Sequence, residues 1–262
     1  MSESKSTDVS KLPEPTEELG WEHIGHQRVA AVLHRAIAAE LRLVIMAHGF
    51  KGSKIGPSRY FVTLGRHLAG RGVSVFRFDQ PGSGDSAGTF EESSFIEWIG
   101  TIEHFARRFH EDGYKIALLG QSMGGTATLA AADWLGSGII RGIALWSSSP
   151  EEGRDASTPD DGYVEEDGQR VRRRFWHEAA EVDFLGLYQR LSVPAFMVFG
   201  TADHLIPLAR IRAVESACKA SDRVLVLDGL PHSAWPLEAR ERILSETADF
   251  LVGVLTESET RA

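Results

Sequence analysis

From about residue 22 onward, short apolar runs alternate with longer amphipathic segments, and no other feature of the sequence constrains the fold as much. The apolar runs lack the in-out alternation of half-buried strands, which is typical of strands covered on both faces. Strands that alternate with helices predict βαβ units, right-handed crossovers and a mostly parallel α/β sheet flanked by helices. The predicted strands are RVAAVLH, LRLVIMAHG, VSVFRFD, KIALLG, GIALWSSS, PAFMVFG and RVLVLDG. The predicted helices cover about 56–70, 94–110, the run MGGTATLAAADWL and 237–255.

One charged segment interrupts this alternation, and it lies between the strands GIALW and PAFMVFG. Residues 150–185 are too long for an ordinary connection in a compact domain. Their interior, YVEEDGQRV, places an Asp-Gly turn between short flanks and predicts a β-hairpin. Phe175, Trp176 and Phe184 favour a small packed cap over a disordered surface loop. We therefore predict a core of residues 21–149 and 186–256, with residues 150–185 inserted as a small cap after the strand GIALW.

The charge of the chain is concentrated in two places. The net charge is −9 over 262 residues. Residues 1–18 contribute −3 and residues 151–170 contribute −6, so the remainder is close to neutral. Residues 1–20, rich in Ser, Glu and Pro, predict a flexible acidic tail. Because no basic track exists to neutralise phosphates, nucleic acid is not an expected partner.

Other functional classes lack their usual sequence signals. No apolar run approaches the 18 residues of a membrane span, and the N-terminus lacks the apolar stretch of a secretory signal. Cys218 is the single cysteine, so neither an internal disulfide nor a CxxC motif can form. No HExxH or similar ligand pair is present. We expect a cytoplasmic protein without membrane, metal or cofactor, and its oligomeric state stays open.

The sharpest local motif is GQSMGG at residues 120–125, directly between the strand KIALL and an Ala-rich helix. A G-x-S-x-G motif in this strand–turn–helix context is typical of a nucleophile elbow. The small flanking residues are needed because Ser122 must occupy a strained turn packed closely against neighbouring backbone. The motif therefore predicts Ser122 as a nucleophile.

An activated serine needs a general base and a carboxylate that orients the base, in the chain order Ser, acid, His. Asp203 follows the strand PAFMVFG and His232 follows the strand RVLVLDG, at the sheet edge where Ser122 also emerges. Asp203 and His232 are therefore the predicted partners. The alternative acid is Glu151 or Glu152, and the alternative base is His204, which is disfavoured because it adjoins the acid.

A tetrahedral intermediate also requires donors for its oxyanion. The segment HGFKG follows the strand LRLVIMA, the position from which hydrolases supply one backbone N–H, and the second comes from the residue after the nucleophile. This assigns the backbone amides of Phe50 and Met123 to an oxyanion hole. We expect His48 to fix the loop and Lys51 to be solvated, although Lys51 could meet an anionic substrate.

Five segments resemble those of bacterial cinnamoyl/feruloyl esterase-like serine hydrolases of the α/β-hydrolase superfamily: HGFKG, FDQPGSGDSAGTFEE, GQSMGG, GTADHLIP and PHSAW. The resemblance covers nearly all of the chain from about residue 22. It implies the α/β-hydrolase fold, the triad Ser122, Asp203 and His232, and hydrolysis of short acyl or hydroxycinnamoyl esters. Two positions depart from the pattern. Gln121 stands where a His is usual, and residues 80–84 read QPGSG instead of the family's Arg-Gly-His-Gly run.

The substrate pocket is the least determined part of this interpretation. Gln121 and Trp176 are candidate substrate contacts, and Trp146 and Trp235 are candidate wall residues of an acyl pocket. The expected substrate is a small-molecule ester. The same triad could instead serve a thioesterase, an acyltransferase or a peptidase. A non-catalytic binding protein of the same fold is a further alternative, and Ser122 at the elbow argues against an enzyme with an aspartate nucleophile.

Overall fold

The computed structural model describes residues 16–38, 40–148, 162–166 and 168–257. An eight-stranded sheet of order β1-β2-β4-β3-β5-β6-β9-β10 forms its centre, and β7 and β8 form a separate hairpin. The strands are β1 Thr16–Ile24, β2 Gln27–Arg35, β3 Arg42–Ala47, β4 Ser74–Phe78, β5 Lys115–Gln121, β6 Ile140–Trp146, β7 Tyr163–Glu166, β8 Gln169–Arg172, β9 Ala195–Gly200 and β10 Arg223–Leu227. The helices are α1 Tyr60–Ala69, α2 Phe95–Glu111, α3 Met123–Leu135, α4 Arg173–Ala180, α5 Phe184–Arg190, α6 Leu208–Ser216 and α7 Leu237–Thr256.

The sheet confirms the predicted mostly parallel architecture. In the eight-stranded sheet, all neighbouring strands from β4 to β10 pair in parallel, whereas β1–β2 and β2–β4 pair antiparallel. Strand β3 places Leu43 and Ile45 in the core on one face, and Val44 and Met46 in the core on the other. Helices α2 and α3 cover the first face, and α1 and α7 cover the second. Burial on both faces explains the continuous apolar strands.

The helices that flank the site begin where local chemistry allows. Ser94 caps α2 by accepting a hydrogen bond from the Glu97 N–H at 3.3 Å, the first half of a capping box. Helix α3 is rich in alanine, and Ala127, Ala131 and Ala132 are fully or almost fully buried. Small side chains let α3 lie close to the sheet directly behind β5.

The structure corrects the predicted tail of residues 1–20 at its end. Residues Thr16–Ile24 form β1, which pairs with β2 along the edge of the sheet. A charged edge strand exposes most of its side chains, so its sequence lacks the apolar signal of a core strand. Residues 1–15 lie outside the described part of the chain. Helices α4, α5 and α6 were also not anticipated from the sequence.

The predicted cap lies partly within the described residues. The hairpin expected around the Asp-Gly turn is present, because β7 and β8 pair antiparallel. Helix α4 follows directly, and its Phe175 and Ala179 are buried in the core. Residues 149–161, which include the alternative acids Glu151 and Glu152, lie outside the described part. In the residues that are described, no helix is both long and apolar enough to cross a bilayer.

Candidate active site

Ser122 occupies a strained turn between β5 and α3. Its backbone has φ 54° and ψ −127°, a conformation that residues with a side chain rarely adopt. Backbone hydrogen bonds on both sides hold it there. The Ser122 N–H donates to the Trp146 carbonyl at 2.8 Å, and the Gly125 N–H donates to the Ser122 carbonyl at 2.8 Å. The turn presents the predicted nucleophile at the carboxyl end of β5, as the elbow motif requires.

Glycines around Ser122 are dictated by close backbone packing. A Cβ on Gly124 would lie well inside 3.0 Å of the carbonyl oxygens of Ala47 and His48. A Cβ on Gly120 would lie equally close to the Gly124 carbonyl oxygen. Helix α3 can therefore approach β3 and β5 only without side chains at these positions, which explains the spacing of the motif.

The side chains of Ser122, His232 and Asp203 form one hydrogen-bonded chain. Ser122 Oγ lies 2.9 Å from His232 Nε2, and His232 Nδ1 lies 2.7 Å from Asp203 Oδ2. The three residues are far apart in sequence but follow β5, β10 and β9 at the same edge of the sheet. In this arrangement Asp203 can hold the proton on Nδ1, which leaves Nε2 free to accept the Ser122 proton.

Burial and hydrogen bonds fix the carboxylate of Asp203 in place. Its side chain is 1% exposed, and its second oxygen accepts the backbone N–H groups of Leu205 at 2.9 Å and Ile206 at 3.2 Å. The Ala202 N–H donates to the Leu230 carbonyl at 3.2 Å, which ties the loop of the acid to the loop of His232. His204, the alternative base, is exposed and lines the same cleft, whereas His232 makes the contact with Ser122.

The loop of residues 48–54 packs directly against the elbow. A Cβ on Gly49 would lie 2.9 Å from the Ser122 Cβ. The buried His48 fixes the start of the loop, because its Nε2 accepts the Gln80 N–H at 2.9 Å and its Nδ1 donates to the Gly49 carbonyl at 2.8 Å. Burial lowers the pKa of His48, consistent with a neutral ring. His48 therefore has the loop-fixing role expected of it.

A buried ion pair fixes the other end of this loop. Asp79 is fully buried and accepts the Lys54 N–H at 2.5 Å and the Lys54 ammonium at 2.6 Å. The ammonium also donates to Asp85 at 2.7 Å. Burial acts to lower the pKa of Lys54, but the hydrogen bonds to Asp79 and Asp85 outweigh it and raise the pKa above its ordinary value. Sequence reasoning missed this cluster of three charged residues, although FDQPGSGD contains two of its members, Asp79 and Asp85.

A cleft of about 780 Å³ opens over Ser122. Phe50, Gln121 and His232 line it together with the glycine-rich loop. Met123 is the first residue of α3, where backbone N–H groups have no partner within the helix. The Phe50 and Met123 amides thus stay the predicted oxyanion donors.

Comparison with known proteins gives partial sequence matches. A family model described as Hydrolase_4, serine aminopeptidase S33, matches residues 39–154. An uncharacterised protein, YfhR of Salmonella typhi, is 31% identical over 155 residues, which is 53% of this chain and 48% of YfhR. The chain thus spans about half the length of this curated relative.

Solved structures match almost the whole chain. Est1E from Butyrivibrio proteoclasticus with bound ferulic acid superposes with a TM-score of 0.81 at 21% identity, covering 91% of this chain and all of Est1E. A soluble variant of monoglyceride lipase from Saccharomyces cerevisiae superposes with a TM-score of 0.76 at 15% identity. The superposition covers 95% of this chain and 97% of the lipase chain. This chain has the α/β-hydrolase fold.

Two predicted pocket residues lie in the core of this α/β-hydrolase fold instead. Trp146 is fully buried, and its Nε1 donates to Thr247 of α7 at 3.0 Å. Trp235 stacks on Tyr60 with ring centroids 4.7 Å apart and meets Trp146 edge-on at 5.4 Å. Both rings belong to the core between the sheet and helices α1 and α7. The prediction that Trp146 and Trp235 form walls of an acyl pocket is therefore wrong.

The other two predicted pocket residues differ in position: Gln121 lies in the cleft beside Ser122, and Trp176 lies outside the cleft lining, behind Phe50. Gln121 lines the cleft, and its Oε1 lies against Gly49. Trp176 of α4 is 7% exposed and packs on the ring of Phe50 at a centroid distance of 4.6 Å. Within the described ranges, no group of three or more His, Cys, Asp or Glu side chains is arranged to hold a metal ion.

Proposed function

We propose that this protein is a serine hydrolase that cleaves carboxylic esters through an acyl-enzyme intermediate. The observation that carries the proposal is the hydrogen-bonded chain from Ser122 through His232 to Asp203, set at a strained elbow under an open cleft. The strained backbone of Ser122 supports the proposal further, because strained conformations of this kind cluster at functional sites, here at the position of the nucleophile.

In the first half of the reaction Ser122 Oγ attacks the acyl carbonyl carbon while His232 Nε2 takes the serine proton. The carbonyl electrons move onto oxygen, and the N–H groups of Phe50 and Met123 stabilise the resulting oxyanion. Asp203 stabilises the imidazolium that forms. His232 then donates its proton to the departing alkoxide oxygen, the C–O bond breaks, and the acyl group stays on Ser122.

In the second half a water molecule replaces the alcohol. His232 accepts one proton from the water as its oxygen attacks the acyl carbon. The second tetrahedral intermediate collapses with cleavage of the bond to Ser122 Oγ, which regains its proton from His232. A carboxylic acid leaves, and the enzyme returns to its starting state.

The substrate we propose is an ester with a short acyl or an aryl, hydroxycinnamoyl-type acyl group. Of two structural relatives, one is described with bound ferulic acid, a hydroxycinnamic acid, and the other as a monoglyceride lipase. The ring of Phe50 lines the cleft, and Phe175 and Trp176 of the cap pack behind it. A flat apolar ring of this kind suits an aryl group better than a flexible charged one.

A peptidase is the second candidate, and the family model favours it. That model is described as serine aminopeptidase and includes the elbow within its matched residues 39–154. The triad itself cannot choose between an ester and an amide, because both reactions pass through the same tetrahedral intermediate. Thioesterase and acyltransferase activities share the same chemistry.

One set of assays separates these functions. We expect a fluorophosphonate to label Ser122 in the wild type and not in Ser122→Ala. We also expect turnover of p-nitrophenyl acetate and methyl ferulate to exceed that of an acyl thioester and of an aminoacyl p-nitroanilide. Preferential cleavage of the anilide would establish the peptidase instead. Absence of any adduct on Ser122 in the folded protein would refute the serine hydrolase altogether.

A further inference from the structure

The ring of Phe50, which lines the cleft, also contacts three aromatic side chains, two of which belong to the cap. Its centroid lies 4.6 Å from Trp176, 5.4 Å from Phe175 and 5.0 Å from Phe90. Phe175 is fully buried against Phe95 and Trp98 of α2. The cap thus reaches the core at the residue whose backbone N–H is a proposed oxyanion donor.

The cap is fixed to the core on both sides of this aromatic contact. Glu178 of α4 accepts the Ser94 hydroxyl at 2.7 Å and the Ile96 N–H at 3.1 Å, at the beginning of α2. Arg172 of β8 donates two hydrogen bonds to Glu92, at 2.6 and 2.7 Å. These hydrogen bonds therefore fix the position of helix α4 relative to the core.

Phe50 lies between the two anchors of its loop. His48 fixes the loop before it and Lys54 after it, as described above. Between them the chain turns tightly, with a Gly52 N–H to Gly49 carbonyl hydrogen bond of 3.0 Å and Lys51 at φ 57°. The ring of Phe50 is the largest side chain in this turn, and its aromatic partners lie in α4 and in the segment just before α2.

We propose that Trp176 is a positioning residue, which acts through the ring of Phe50 to hold the Phe50 backbone N–H at the oxyanion. The inference rests on the proposed function. An oxyanion donor is effective only within a few tenths of an ångström of its ideal place, so a loosened ring costs catalysis even though the donor is a backbone group. The cap then contributes to the chemistry of every substrate, including those too small to touch it.

The test is the kinetics of Trp176→Leu with p-nitrophenyl acetate. The acetyl group of this substrate carries only a methyl group on its carbonyl carbon, so it is too small to contact the cap. Removal of an oxyanion donor typically costs a factor of about 10²–10³ in kcat. A displaced donor should cost less, so we expect kcat to fall about 10- to 100-fold with KM little changed. The inhibition constant of trifluoroacetone, which forms a hemiketal oxyanion on the serine, should rise in parallel. Trp176→Phe, which retains a ring, should recover most of the activity.

Leu187→Ala is the matched control for general destabilisation. Leu187 is also 7% exposed, but it lies on α5, which packs against α3. The control should lower thermal stability while kcat for p-nitrophenyl acetate stays near the wild-type value. An equal loss of kcat in Leu187→Ala would overturn the specific role of Trp176.

A double-mutant cycle with Phe50→Leu, which keeps the backbone N–H, tests the contact itself. If Trp176 acts through Phe50, the double variant should lose no more kcat than either single variant. Phe50→Leu also keeps the test open should Trp176→Leu fail to fold, since it removes the same contact from the other side. Additive losses would overturn the proposal.

Two further outcomes are distinct. Unchanged kcat for acetate together with altered preference among aryl esters would make Trp176 a pocket wall and overturn the proposal alone. A folded wild type that neither hydrolyses esters nor forms a fluorophosphonate adduct would overturn the proposed function and this inference with it.

Discussion

Ser122 combines the two properties expected of a nucleophile, a proton acceptor within 2.9 Å and a backbone held away from its relaxed conformation. Strain of this kind costs about 1–3 kcal/mol and persists only where the surroundings enforce it. The Trp146 carbonyl and the first turn of α3 do so here. The strained backbone at Ser122 therefore lowers the stability of the fold, and it presents the Ser122 hydroxyl to the cleft.

Substitution of Ser122 should separate activity from stability. Ser122→Ala and Ser122→Gly should both lower kcat by about 10⁴–10⁶, because both lack the nucleophile. Glycine adopts φ 54°, ψ −127° without strain, whereas alanine does not. The free energy of unfolding should therefore be about 1 kcal/mol higher for Ser122→Gly than for Ser122→Ala, even though glycine raises the entropy of the unfolded chain. Ester assays and thermal unfolding measure both effects. Activity of Ser122→Ala near the wild-type value would refute the mechanism.

The identity of the acid gives a second prediction at the residue scale. Asp203→Asn should lower kcat by about 10⁴, because the amide can neither stabilise the imidazolium nor select the right tautomer of His232. Glu151→Gln and Glu152→Gln are the matched controls and should retain kcat. Should either control lose as much activity as Asp203→Asn, the acid has been assigned to the wrong residue.

Among the elements, those of the sheet centre could be predicted and those at the periphery could not. Helix α3 follows the elbow with the bounds its sequence indicates, because the glycines and alanines there have one packing solution. Strand β1 escaped prediction because its exposed, charged side chains carry no burial pattern. The triad was predictable from the ends of apolar strands. The buried pair of Lys54 and Asp79 was not, because nothing local shows that two distant loops meet.

The misplacement of Trp146 has a related physical cause. It ends a strand covered on both faces, and such strands lack the alternation that would show which face each side chain occupies. One face of β6 at this point looks toward α7, and there the ring finds Thr247. The strand pattern alone therefore could not show whether the Trp146 side chain lies in the core or in the substrate pocket.

Docking of the cap helix yields a prediction at the scale of the element. Glu178→Ala removes the acceptor of the Ser94 hydroxyl and the Ile96 N–H, which should cost about 1–3 kcal/mol and speed amide hydrogen exchange across α4. Glu181→Ala, an exposed position at the end of the same helix, is the control and should leave exchange unchanged. Equal exchange rates in α4 for both variants would show that Glu178 does not hold the cap.

For the whole molecule, His34 ties stability to pH. It is 1% exposed, and its Nε2 accepts the Arg77 guanidinium at 2.8 Å. Burial, helped by the charge of Arg77, lowers the pKa of His34 from 6.5 to about 4. The unfolded chain therefore binds a proton between pH 6.5 and 4 that the folded chain refuses. The free energy of unfolding should fall by up to about 3 kcal/mol as pH drops through this window.

His34→Gln should flatten this dependence, since an amide can accept from Arg77 but does not titrate. Denaturant unfolding at several pH values between 7 and 4 gives the slope. His67→Gln, at an exposed site on α1, is the control and should keep the wild-type slope. A wild-type slope in His34→Gln would assign the acid sensitivity to other groups.

The edge position of β10 has a consequence for how the protein becomes active. His232 follows this strand, whose one partner among the described strands is β9, and Asp203 follows β9 in turn. The catalytic chain is thus closed by contacts between segments 29 and 110 residues apart in sequence, which form slowly because long loops must close first. During synthesis the nucleophile leaves the ribosome long before its base. On refolding, ester hydrolysis should return later than the helical circular dichroism signal, so enzymatic activity in this protein reports the last step of assembly rather than the first.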